Sequence, residues 1–220
     1  MRFLILVAGL SLISCNSADK ADEVTIGNYS INIPTSYRVD EQKVFNGDAG
    51  EIQTAGFTLI YHHSNHTRPP VLTVQEYLDS RTWQADVARF LSEKKGVKET
   101  LQIQLSSVRA AAKADSTLGG GCDYVAVCQY DSLIIEAPIY LPLATKESQF
   151  LIDTFDNHYR KIYLSKTPKT GKSGVYIKPL HPESLQSHIV NSLSIETTNI
   201  TKGQQDSLVA IFLSSRVASK

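Results

Sequence analysis

Residues 51–61, Glu51-Ile-Gln-Thr54, Ala55-Gly56 and Phe57-Thr-Leu-Ile-Tyr61, decide the fold class. Two short β-prone runs flank a pair of small residues, the pattern of a β-hairpin. Alternation points Phe57, Leu59 and Tyr61 to one face, and a strand with one apolar face needs a core to cover it. Upstream, Tyr29-Ser-Ile-Asn-Ile33 alternates in the same way and stops at Pro34. Val24 and Ile26 lie on the opposite parity, which places a turn or bulge at Gly27-Asn28.

Downstream, Leu101, Ile103 and Leu105 alternate as a strand. Tyr124 to Tyr130, Asp131-Ser132 and Leu133 to Tyr140 read as a second hairpin, whose later strand Pro138 confines to a sheet edge. His158 to Ser165 and Ser173 to Ile177 flank a Pro- and Gly-marked loop, and Ser192 to Glu196 is a further strand. Residues 63–70 read as loop by composition, and 110–121 as a flexible connection.

Two segments have the helical period. Thr73 to Lys95 opens with a capping box, Thr73 with Glu76, and closes on Lys94-Lys95-Gly96. Trp83 and Phe90 leave its apolar stripe, which places a break near Arg81-Thr82. Thr201 with Gln204 is a second capping box, opening a terminal helix with Leu208, Ile211 and Phe212 on one face and Ser215 at its frayed end. The expected fold class is α+β: a twisted antiparallel sheet with helices laid on it.

Composition narrows the function classes. Twenty-two Lys and Arg balance 22 Asp and Glu in 220 residues, which removes the electrostatic footprint of a nucleic-acid binder. The aromatic and β-branched content excludes a disordered chain. The one long apolar run, Phe3 to Ile13, is too short to span a bilayer permanently. It follows Arg2 and ends in Leu12-Ile13-Ser14-Cys15, which resembles the bacterial lipobox. That resemblance implies cleavage before Cys15, a diacylglycerol on its sulfur and an acylated amino group. Asn16, where an Asp would retain the protein in the inner membrane, favours the outer membrane. The expected division is a signal peptide over 1–14, lipidated Cys15 with a polar tether over 15–23, and a single domain over 24–220.

Cys122 and Cys128 remain. If Cys122-Asp-Tyr-Val-Ala-Val-Cys128 is one strand, six steps place the Cα atoms ~20 Å apart, far beyond disulfide reach. Both then read as small buried hydrophobes.

Several pieces together resemble small bacterial lipoproteins of the PsbP-like sandwich group. These are Tyr29-Ser-Ile-Asn-Ile-Pro34, the hairpin from Gly50 to Tyr61, Gly174-Val-Tyr-Ile177, and Asn199-Ile-Thr-Lys-Gly-Gln-Gln205 leading to Ile211-Phe212. The resemblance implies a twisted antiparallel sheet between helices and an envelope address, and no activity. The chain departs from the pattern at His62-His63 and in the stretch from Ala110 to Gly121.

His62-His63-Ser64-Asn65-His66 is the one cluster with metal-like chemistry. His62 and His66 are the candidate metal ligands: a tight turn after His62 would bring them together, and imidazole suits Zn, Cu and Ni. Further ligands would come from His63, His158, His181 or His188. The other reading is an exposed polar loop at a strand end. Lys161, Lys166, Lys169, Lys172 and Lys178 read as a basic hairpin. It would either meet anionic lipid headgroups, at ~1 kcal/mol per cation, or stay solvated and guard a sheet edge.

No catalytic residues are assigned. Ser92-Glu-Lys-Lys95 and Lys169-Thr170-Gly171 spell β-lactamase motifs, but Ser92 closes a helix where the motif needs a serine that opens one. Gly171-Lys172-Ser173 lacks the first P-loop glycine, Lys166 standing in its place. The sequence therefore predicts a lipid-anchored, non-enzymatic envelope protein that binds a protein partner, of immunity or accessory type, without cofactor or nucleic acid. The alternative is a metal-assisted hydrolase using His62, His63 and His66.

Overall fold

The structure, a computed structural model, describes residues 22–33, 36–44, 47–65, 67–97, 104–118, 120–130, 132–181 and 191–218. The expected signal segment, Cys15, His66, His188, Leu101 and Ile103 lie outside them. Among the described residues no helix is long and apolar enough to cross a membrane.

Three antiparallel sheets form among the described residues. In the first, β1 (Asp22–Ile26), β2 (Tyr29–Ile33) and β13 (Arg216–Val217) lie in the order β1-β2-β13. The second has seven strands: β3 (Tyr37–Val44), β4 (Gly47–Thr54), β5 (Thr58–Ser64), β9 (Ser148–Phe155), β10 (His158–Ser165), β11 (Ser173–Pro179) and β12 (Ser192–Thr197). Their order is β3-β4-β5-β12-β11-β10-β9. The third is β6 (Gln104–Ala110), β7 (Tyr124–Tyr130) and β8 (Leu133–Ile139), so Pro138 does sit in an edge strand.

Four helices accompany them among the described residues: α1 (Val74–Ser80), α2 (Gln84–Lys95), the single turn α3 (Leu143–Lys146) and α4 (Lys202–Leu213). Both capping boxes form. The expected break is Arg81, in the left-handed region at φ 55°. Gly96 caps α2 at φ 68°, a conformation that costs a residue without Cβ little.

The expected α+β sandwich is overturned. Of the described residues 48% lie in strands and 23% in helices, a β-rich fold. The main core is largely sheet against sheet. Leu59, Tyr61, Ile162, Val175, Ile177, Leu193 and Ile195 from the large sheet meet Val24, Ile26, Tyr29, Ile31 and Ile33 from β1 and β2. Of the described helices only α4 joins this core, through Leu208, Ile211 and Phe212. Helices α1 and α2 belong to a second core with the small sheet, where Tyr77, Trp83, Val87 and Leu91 pack on Ala126, Cys128, Ala137 and Ile139. Helices α1, α2 and α4 lie where the sequence pattern places them, whereas α3 and the strands β3 and β9 carry no such local signal. β3 is largely polar and carries no clear alternation. β9 ends in a two-residue turn, Asp156-Asn157, with both φ positive at 44° and 60°, the geometry that matches strand twist in a hairpin.

β5 continues through His62 and His63 to Ser64, where a loop was expected. Asp22 and Glu23, assigned to the tether, belong to β1. Residues 113–118 form a short 3-10 helix, tied down by Arg109, which donates to both Asp115 oxygens at 2.7 and 2.9 Å. Ser215 is buried, its hydroxyl donating to the Phe212 carbonyl at 2.7 Å, and the chain runs on into β13. Cys122 and Cys128 are free thiols, Cys128 buried in the second core.

Candidate functional site

The period of two sends adjacent residues of β5 to opposite faces. His62 is exposed on the outer face of the large sheet, and His63 is buried in the inner face. The structure therefore does not bring these two candidate ligands together, and the position of His66 lies outside the described residues. His158 is buried against Tyr29 at 5.4 Å between ring centroids, and His181 is exposed beyond β11. Among the described residues no three His, Cys, Asp or Glu side chains gather as a metal site requires.

On the outer face His62 borders an open cleft of about 360 Å³. Strands β5 and β12 supply His62, Ser64, Ser194 and Glu196. The loop after β5 supplies Thr67, Arg68 and Pro70, and the approach to β11 supplies Lys172. Pairing explains the set: Ser194 stands opposite His62, and Ser192 opposite Ser64. Lys172 donates to Glu196 at 2.9 Å. The cleft thus carries hydroxyls, an imidazole, a guanidinium and a pinned ion pair, a surface suited to hydrogen-bonding recognition.

Beside the cleft the polar row continues into the fold. Tyr176 pairs with Ser194, and Lys161 with Tyr176. The Tyr176 hydroxyl lies 3.3 Å from the Thr67 carbonyl and 3.4 Å from Ser192 Oγ, fixing one wall of the cleft. Lys161, expected on an exposed basic hairpin, is fully buried. Its Nζ donates to Glu76 Oε2 at 2.6 Å, and Tyr159 donates to Glu76 Oε1 at 3.2 Å. Glu76 is the capping-box residue of α1, so one carboxylate serves a helix end and a buried cation. Burial favours the neutral amine and pulls the Lys161 pKa below the lysine range, with Glu76 partly restoring it. Burial raises the Tyr159 and Tyr176 hydroxyls, which stay protonated as donors. The other lysines of the expected patch are exposed: Lys166 donates to the Lys146 carbonyl at 2.8 Å, and Lys178 lies over the Tyr159 ring at 5.4 Å.

On the inner face His63 Nε2 meets Asn28 Oδ1 at 2.8 Å, and Nδ1 faces Asp48 at 3.4 Å without hydrogen-bond geometry. Burial pulls its pKa down and Asp48 pushes back, leaving it below the ordinary histidine value. Two features of the site depend on contacts distant in sequence. Lys161 gave no signal, because its partner comes from a helix 85 residues away. The Asn28–His63 pair is half visible in the sequence, which places a turn or bulge at Gly27-Asn28. Compared with known proteins, the chain matches no family model and no curated protein.

Proposed function

We propose that this chain is a lipid-anchored binding protein of the bacterial cell envelope, held by acylated Cys15 and engaging a protein partner without catalysis. The join between anchor and fold supports the reading most. Cys15 lies seven residue steps before Asp22, where β1 begins, and Val24 and Ile26 are already in the main core. A tether of that length spans at most ~23–25 Å, so the domain would stand close to its membrane. Asn16 favours the outer membrane as the address. The polar cleft beside His62 adds a ready contact surface, because its Lys172–Glu196 pair and Tyr176 hydroxyl are held before any partner arrives. With the net charge at zero, a partner would be recognised by such local groups and not by long-range attraction.

The test is metabolic labelling with a radioactive fatty acid. Wild type should take up label and sediment with membranes, while Cys15→Ser should lose both. Label retained by Cys15→Ser would overturn the anchor. Crosslinking in intact cells should capture a protein partner, and Arg68→Glu should weaken that capture. Stoichiometric zinc in untagged protein, lost in His62→Ala, would replace this reading with metal-assisted hydrolysis.

A further inference from the structure

The two edges of the large sheet differ in kind. β3 carries Arg38, Asp40 and Glu41, the charges with which natural sheets discourage edge pairing. β9, Ser148-Gln-Phe-Leu-Ile-Asp-Thr-Phe155, has no lysine and no proline. Its one charge, Asp153, accepts from Arg160 Nε at 2.8 Å on the neighbouring strand. Leu151 and Ile152 are 45% and 50% exposed, one on each face of the sheet. β9 pairs with β10 over all eight residues, so its far side, unpaired among the described residues, offers a long row of backbone donors and acceptors.

We propose that β9 pairs with β9 of a second copy, antiparallel, about a two-fold axis through Leu151. The residue pattern selects this partner and this register. A two-fold axis perpendicular to the sheet pairs residues of the same face. Centred on Leu151, it sets Leu151 against Leu151, Phe150 against Ile152, Gln149 against Asp153 and Ser148 against Thr154. Apolar meets apolar, and polar meets polar, in each of these pairs, and Phe155 falls opposite Glu147, one residue outside the strand. An axis at Ile152 sets Leu151 against Asp153 and Gln149 against Phe155. An axis at Phe150 sets Gln149 against Leu151 and Ser148 against Ile152. Cross-strand pairs are the unit of sheet stabilisation, so one register is favoured over its neighbours. Pairing covers the exposed Leu151 and Ile152 and joins two seven-stranded sheets into one continuous sheet.

The test uses the purified full chain carrying Cys15→Ser, and so does not depend on lipidation. Analytical ultracentrifugation over the micromolar range should show a reversible dimer. Leu151→Lys sets two like charges face to face at the axis and should weaken dimerisation about tenfold or more, with an unchanged melting temperature at concentrations where both proteins are monomeric. For the register, Leu151→Cys should oxidise to a covalent dimer, because opposed residues lie ~4.5–5.5 Å apart at Cα, within disulfide range. Gln149→Cys should not, its copies being ~14 Å apart along the strands. A monomer throughout the range, or a dimer unaffected by Leu151→Lys, overturns the proposal. Crosslinking through Gln149→Cys but not Leu151→Cys overturns the register.

Discussion

At the residue scale, His63 and the turn at Gly27 fit against each other. A Cβ at Gly27 would lie 2.0 Å from His63 Cε1, and Gly27 also holds φ at 59°, so ring and turn require each other. With Asn28 Oδ1 accepting from Nε2, the neutral ring keeps its lone pair on Nδ1, facing Asp48. Burial outweighs that carboxylate and holds the folded-state pKa below the ordinary value. Above pH ~6.5 both folded and unfolded chains carry neutral His63, and the group contributes no pH dependence. Below it the unfolded chain takes a proton that the folded chain refuses, and stability falls as pH drops toward the folded pKa. Glu23, Glu76, Asp115 and Asp153 also have lowered pKa values, and as carboxylates they cost stability only at more acid pH. The melting temperature of wild type should therefore fall between pH 7.5 and 5.5. His63→Phe, which keeps a ring against Gly27, should flatten that fall, and an undiminished fall would show that other groups govern it.

At the element scale, α4 shows how a helix read from local signals is completed by distant ones. Its N-terminus is closed by its own capping box, and the Gln204 of that box also donates to the Gly56 carbonyl at 2.7 Å, tying the helix end to the β4–β5 turn. Its C-terminal carbonyls are closed by Arg160 of β10, which donates to Phe212 and Leu213 at 3.1 and 2.8 Å. A cation at that end also meets the negative pole of the helix. Phe212 is fully buried in the main core, so Phe212→Ala should cost ~3–5 kcal/mol, measured by denaturant unfolding. Ser215 cannot serve as the silent control that a frayed end would offer, because it is buried and bonded to the Phe212 carbonyl. Ser207, exposed on α4, takes that place, and Ser207→Ala should change stability by less than ~0.5 kcal/mol.

At the scale of the whole molecule, two cores share one chain, and the Glu76–Lys161 pair ties the unit of α1, α2 and the small sheet to the large sheet. The two partners are unequal: the Lys161 side chain is 0% exposed and that of Glu76 32%. Removing the counter-charge strands a buried ammonium, whereas removing the lysine leaves a carboxylate that still meets water and caps Thr73. Glu76→Gln should therefore cost more than Lys161→Met, toward the lower end of the ~3–5 kcal/mol seen for broken buried pairs. Equal losses in denaturant unfolding would mean that the pair acts only through packing.

Local chemistry alone determined the capping boxes at Thr73 and Thr201, the break at Arg81, the stop at Gly96 and the hairpins around Gly27, Ala55 and Ser132. Each depends on residues within a few positions of one another, so the sequence carries the whole signal. Tertiary structure decided the rest. It set His62 and His63 on opposite faces by carrying β5 past its apparent end, and it buried Lys161 by bringing Glu76 across 85 residues. It made the core largely sheet against sheet by laying β1 and β2 over the large sheet, and it added β3 and β9 at that sheet's edges, whose residues show no one-faced alternation because edge strands are held chiefly by backbone pairing with a neighbour. A hydrogen-bond ladder uses groups that every residue has, and a strand held that way leaves little trace in its side chains.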